Sequence, residues 1–233
     1  MTTEVYREVF TDDPGGWYGW ISNAGGPKPL EWKDGEITSR SPWWIDYNHA
    51  PPGAGYMHMV FTLATSGPQG EVYTEVGGPN RFTTNGFPTN FNGASLSIRC
   101  CGELVSHESQ LVVLIQGNVD GITSGWLLTG SPINVSEGWT EQTVTLAPDP
   151  SLWTPMGVRH DRGDMYGIKP LDSVLSDVDI NIMLVLFPLD VAPMGTIDGD
   201  PHLLRPERDY PVWRHRLPEG YVTLDSVEIS FAG

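Results

Sequence analysis

From Tyr56 to Leu63 the chain alternates. Met57, Met59, Phe61 and Leu63 fall on one side and Tyr56, His58, Val60 and Thr62 on the other, the two-residue period of a half-buried strand. This pattern assigns the Met57 series to a core and turns Tyr56 and His58 towards solvent or a cleft. Leu111 to Ile115 is apolar throughout, which predicts a central strand covered on both faces. Ser95 to Cys101 alternates Leu96, Ile98 and Cys100 against Ser97, Arg99 and Cys101. Glu4–Phe10, Trp126–Leu128, Thr140–Leu146 and Ile180–Phe187 read as further strands, and Trp17, Tyr18 and Trp20 crowd aromatics just after the first of them. Lys33-Asp34-Gly35-Glu36 is a hairpin signal, with Asp-Gly where the turn needs positive φ. In the last strand, Tyr221 to Phe231, the apolar phase runs Val222, Leu224 and then Val227, Ile229, Phe231. A β-bulge at Asp225-Ser226 accounts for that slip and aims Asp225 away from the ladder. The helical spacing is confined to Leu171, Val174, Leu175 and Val178, with Pro170 suited to a first turn. Together these elements predict an all-β chain: a jelly-roll β-sandwich of two antiparallel sheets with one short helix, folded as a single domain over residues 1–233.

Composition agrees, since 27 Gly and 20 Pro demand many turns. No run approaches the roughly 18 consecutive apolar residues of a membrane span. The N-terminal MTTEVYREVF lacks the basic-then-apolar pattern of a leader. If Met1 is the natural start the expected location is cytoplasmic, and otherwise secreted. Cys100 and Cys101 are adjacent in a strand, so their side chains diverge and are poorly placed to pair. A formal net charge of −16 opposes partners that present phosphate, which excludes nucleic acid and anionic membrane. The oligomeric state stays open.

Candidate chemistry concentrates in Ser41–Leu63, SPWWIDYNHAPPGAGYMHMVFTL. Trp43, Trp44, Tyr47 and Tyr56 would make a platform for the apolar faces of sugar rings, or simply pack. His49 and His58 lie nine apart across a loop, where they would meet near Asp46 as a metal triad or an acid–base pair if the loop folds back. Pro51 to Gly55 would form a stiff rim to that site. Arg159-His160-Asp161-Arg162-Gly163-Asp164 is either a self-neutralising turn or a clamp. In the clamp, Arg159 or Arg162 grips a carboxylate or vicinal hydroxyls and His160 transfers a proton. Two long segments, Gly77–Asn92 and Asp198–Arg216, are candidates for functional loops or covers.

The order Gly138-Trp139, Val144-Thr145-Leu146, Trp153, Leu171 to Val178 and Gly220-Tyr221-Val222-Thr223-Leu224-Asp225-Ser226-Val227 resembles the end of galactose-binding-like jelly-roll sandwiches, including the laminin domain IV type and many carbohydrate-binding modules. The resemblance implies a carbohydrate or glycoside ligand. It also implies a structural calcium held by Asp225 with an acidic residue near the first strand, for which Glu8 and Asp12 are the candidates. Two functions remain open on the sequence. One is a glycan-binding module; the other is a carbohydrate-active enzyme of the glycoside hydrolase or lyase type, using Asp46, His58, Arg159 and His160.

Overall fold

The computed structural model describes residues 4–22, 25–46, 56–66, 73–158, 163–200, 204, 206–213 and 216–232. Among the described residues fourteen strands make two antiparallel sheets. The first holds β1 (Val5–Glu8), β4 (Glu31–Lys33), β5 (Glu36–Arg40), β8 (Ser95–Val105), β11 (Thr140–Thr145) and β14 (Glu219–Ser230). Its order is β11-β8-β14-β5-β4, with β1 also on β14. The second holds β2 (Trp17–Ser22), β3 (Gly26–Lys28), β6 (Ile45–Asp46), β7 (Tyr56–Ala64), β9 (Gln110–Val119), β10 (Ile122–Leu127), β12 (Thr154–Pro155) and β13 (Asn181–Leu189). Its order is β12-β10-β9-β13-β7-β2-β3, with β6 also on β7. The fold is an all-β sandwich, as the alternation predicts.

One hydrophobic layer fills the space between the sheets. Leu96, Ile98, Val222, Leu224, Val227 and Ile229 enter it from the first sheet; Phe61, Leu63, Val113, Ile115, Ile182, Leu184 and Leu186 enter from the second. The phase slip in β14 is a register shift between Leu224 and Ser226 against β8. It lets Val222-Leu224 and Val227-Ile229 all reach the core from one strand. Asp34 and Gly35 carry the expected positive φ at the β4–β5 turn, at 53° and 80°.

Three short helices are present among the described residues, where the sequence predicted one. The predicted helix is α3 (Leu171–Ser176), which buries Leu171, Val174 and Leu175. The other two, α1 (Thr74–Gly77) and α2 (Arg81–Thr84), lie in and beside the segment read as a functional loop. That segment is instead a plug at one end of the sandwich. Phe82 meets Tyr6 edge-on at 5.3 Å between ring centroids, and Phe91 meets Phe231 at 5.4 Å. Asn80 holds the plug to the sheet, its side chain accepting from Thr83 N and donating to the Ala64 carbonyl.

No helix among the described residues is long and apolar enough to cross a membrane. Cys100 and Cys101 are both free.

Candidate functional site

β7 is buried along nearly its whole length, and this changes the reading of its two faces. Phe61 pairs with Leu184 of β13, but Val185 then pairs with Met59, so Val60 is an extra residue and the phase shifts. Phe61 and Leu63 point into the inter-sheet core. Met57 and Met59 point to the opposite, outer face of the second sheet, where they join Val112, Leu114, Met183, Val185 and Phe187. The expected single series Met57-Met59-Phe61-Leu63 is therefore split by the bulge. His58 and Tyr56 share a side, as predicted, but that side faces inward.

His58 is 1% exposed, lies 5.9 Å from Trp43 between ring centroids, and its Nδ1 is 3.1 Å from the Trp44 carbonyl oxygen. Trp43 itself is buried and donates to Ser39 Oγ at 2.9 Å, so it packs rather than offering a platform. A cavity of about 140 Å³ is lined by these two rings with Ser41, Pro42, Leu217, Pro218 and Glu219. That is well under the roughly 300 Å³ at which small-ligand pockets begin. Tyr56 is half-buried beside Ile45, Leu189 and Leu217. Its hydroxyl lies 3.5 Å from the Leu204 carbonyl and also bonds Tyr210. Burial first, then Tyr210, pushes its phenol up to about 12. The described part of the Asp198–Arg216 segment thus covers Tyr56.

Asp46 takes the other direction. The β6–β7 register sets Ile45 opposite His58 and Asp46 opposite Met57, so His58 and Asp46 emerge on opposite faces of the sheet. The proposed acid–base or metal pairing of these two side chains is not formed. Tyr47, His49, the Pro51–Gly55 rim, Arg159, His160 and Arg162 lie outside the described residues.

The calcium candidates are also kept apart. Asp225 is ion-paired with Arg99, whose guanidinium also lies 4.9 Å from the Trp139 ring centroid. Arg99 belongs to the outward series of β8, with Ser97. Glu8 is buried with Tyr6 on the inward series of β1, accepts from Val9 N and Phe10 N, and pairs with Arg81 at 2.8 Å. Asp12 is exposed in the turn after β1. Among the described residues no group of three or more His, Cys, Asp or Glu is arranged to hold a metal ion.

What the fold assembles instead is an aromatic wall above a methionine floor. β2 and β6 both pair with the same edge of β7, β2 at Thr62-Leu63 and β6 at Met57-His58, so they follow one another along that edge. Tyr18 lies opposite Thr62 and therefore outward, while Trp17 lies opposite Leu63 and inward. Trp20 donates from Nε1 to Thr62 Oγ1 at 3.0 Å. It stands 6.3 Å from Trp44, 6.1 Å from Tyr73 and 5.7 Å from Tyr18 between ring centroids. Trp20, Trp44 and Tyr73 are half-buried, whereas the floor (Met57, Met59, Met183, Val185) is sealed. Two polar atoms of this face, Tyr18 Oη and Asn181 Oδ1, are buried and have no hydrogen-bond partner among the described residues. Burial, with Tyr73 as a second influence, holds the Tyr18 hydroxyl far above the ordinary phenol range.

Of the residues singled out in the sequence, Trp44 and Asp46 belong to this face. Trp20, Tyr18, Tyr73 and Asn181 were missed. The adjacency of Trp17-Tyr18-Gly19-Trp20 in a strand was the available signal, because alternation sends Tyr18 and Trp20 to the same side.

No protein-family model and no curated protein matches the chain. A solved structure described in terms of endo-acting O-glycanases, which prominent members of the human gut microbiota express to initiate mucin breakdown, is similar to it with a TM-score of 0.37 and 10% identity, over 98% of this chain and 99% of that one. A likeness of that size has no bearing on the site or its chemistry.

Proposed function

We propose that the protein binds a glycan or glycoside on the outer face of its second sheet, against the wall of Trp20, Trp44 and Tyr73. The observation that carries this reading is the row of half-buried rings held in fixed orientation, with Trp20 anchored to Thr62. Rigid aromatic surface meets the apolar C–H faces of a pyranose at low entropic cost, and neighbouring polar atoms select its hydroxyls. Binding is favoured over catalysis because Asp46 and His58, the described members of the expected catalytic set, stand on opposite sides of the sheet.

A glycan array probed with wild type, Trp20→Ala and Trp44→Ala tests the proposal. Wild type is expected to bind, and each substitution to weaken binding at least tenfold while the thermal transition stays cooperative. Binding that survives both substitutions would place the ligand elsewhere.

A further inference from the structure

On the reading of this face as the glycan site, we infer that Tyr18 and Asn181 are its specificity-determining residues and that the ligand they read is an uncharged, hydroxyl-bearing sugar. The two side chains come from strands on either side of β7. Tyr18 of β2 lies opposite Thr62, and Asn181 of β13 lies opposite Ala64, so both project outward one row apart across the sheet. Tyr18 is 1% exposed and Asn181 4% exposed. Their terminal oxygens are buried without a partner among the described residues.

Buried polar atoms are almost always satisfied, so two unsatisfied ones on the same face of one sheet call for a partner that arrives from outside. A phenol hydroxyl both donates and accepts, and a carboxamide oxygen accepts. Sugar hydroxyls and acetamido N–H groups complement that pair, and turning the Asn181 amide over would only exchange an acceptor for a donor. Thr62 Oγ1 lies between the two strands and is already held by the Trp20 indole, which keeps the row in place.

The net charge of the chain bears on the sugar class. A sugar carboxylate or sulfate would approach a chain of net charge −16, against its overall field. Sites that hold anionic groups use arginine or clustered amides. Uronic acids and sulfated sugars are therefore disfavoured, and neutral hexoses and N-acetylhexosamines fit.

The experiment titrates wild type, Tyr18→Phe, Asn181→Ala and Trp44→Ala with neutral oligosaccharides of glucose, galactose, mannose and N-acetylhexosamine, and with the same chains ended by a uronic acid or a sulfate. Wild type should prefer a neutral ligand to its acidic counterpart by at least tenfold. Tyr18→Phe and Asn181→Ala should each lose about tenfold in affinity for it. Tyr18→Phe should also melt no lower than wild type, since the hydroxyl it removes bonds no described residue. A lower melting temperature would show that the hydroxyl serves the fold, and would overturn the inference. Unchanged affinity in both variants while Trp44→Ala loses binding would overturn it too and leave the glycan face standing. Preference for the acidic ligands would overturn the neutral assignment, and absence of binding to every probe would remove both readings.

Discussion

Glu8 is the residue whose role differs most from its expectation. Expected at a calcium site, it is 3% exposed, accepts two backbone N–H groups and pairs with Arg81, which also reaches Asp13 at 2.9 Å. Breaking a buried pair by removing one partner leaves the other charge uncompensated. Arg81→Ala should therefore lower stability by about 3 kcal/mol, read by urea unfolding; a loss under about 0.5 kcal/mol would mean that solvent already screens the pair. Calcium at Asp225 would have to displace Arg99, so a melting-temperature rise on adding calcium, abolished by Asp225→Asn, is the outcome that would bear out that expectation.

The tyrosines give a pH dependence whose sign is fixed. Tyr56 is pushed up to about 12, and burial raises Tyr6 and Tyr18 further, against an ordinary value of 10.0. Between the unfolded and folded values the native chain keeps protons that the unfolded chain has lost, so stability falls as pH rises. Melting temperature should be insensitive to these groups below pH 10 and decline from there through pH 12. Tyrosinate absorbance growing at pH 10 without loss of structure, to the full complement of tyrosines, would contradict it.

Among the elements, the strands were legible, as was the bulge at Asp225-Ser226, whereas the one at Val60 was not. At Asp225-Ser226 two polar residues interrupt an apolar series, so the slip leaves a trace in the sequence. At Val60 both adjacent residues, Met59 and Phe61, are apolar and buried, because β7 is covered on both faces, and a shifted phase leaves no such trace. The reading of Tyr56 and His58 as a working face failed for that reason. The Phe82, Phe87 and Phe91 plug was illegible because its rings follow neither a two-residue nor a 3.6-residue period; they are placed by contact with Tyr6 and Phe231. Since β9 and β13 each carry two buried faces, neither face is tolerant: Leu184→Ala of β13 on the inner face should cost about 2–5 kcal/mol, and Leu114→Ala of β9 on the outer layer a similar amount. Denaturant unfolding separates this from a solvent-facing outer layer, for which Leu114→Ala would cost little.

At the scale of the molecule, a two-sheet sandwich with a sealed interior leaves recognition to its surfaces, and the two outer faces differ in kind. The first sheet presents a charged groove around Arg7, Arg99, Glu141, Asp225 and Glu228, where Arg7–Glu228 and Arg99–Asp225 already pair. The second presents aromatic rings along an edge with unsatisfied polar atoms behind them. The indole N–H signals of the nine Trp side chains report on both faces and the interior at once. Trp20 Nε1 bonds Thr62 on the outer face, while Trp43 and Trp17 are held by Ser39 and Tyr6 within. Titrating a neutral glycan into nitrogen-labelled protein and following those signals is the most direct measurement. Shifts at Trp20 and Trp44, with Trp17 and Trp43 unmoved, are the predicted result; shifts at Trp43, or at Trp139 beside Arg99, with Trp20 and Trp44 silent, would contradict the assignment of the ligand to this face.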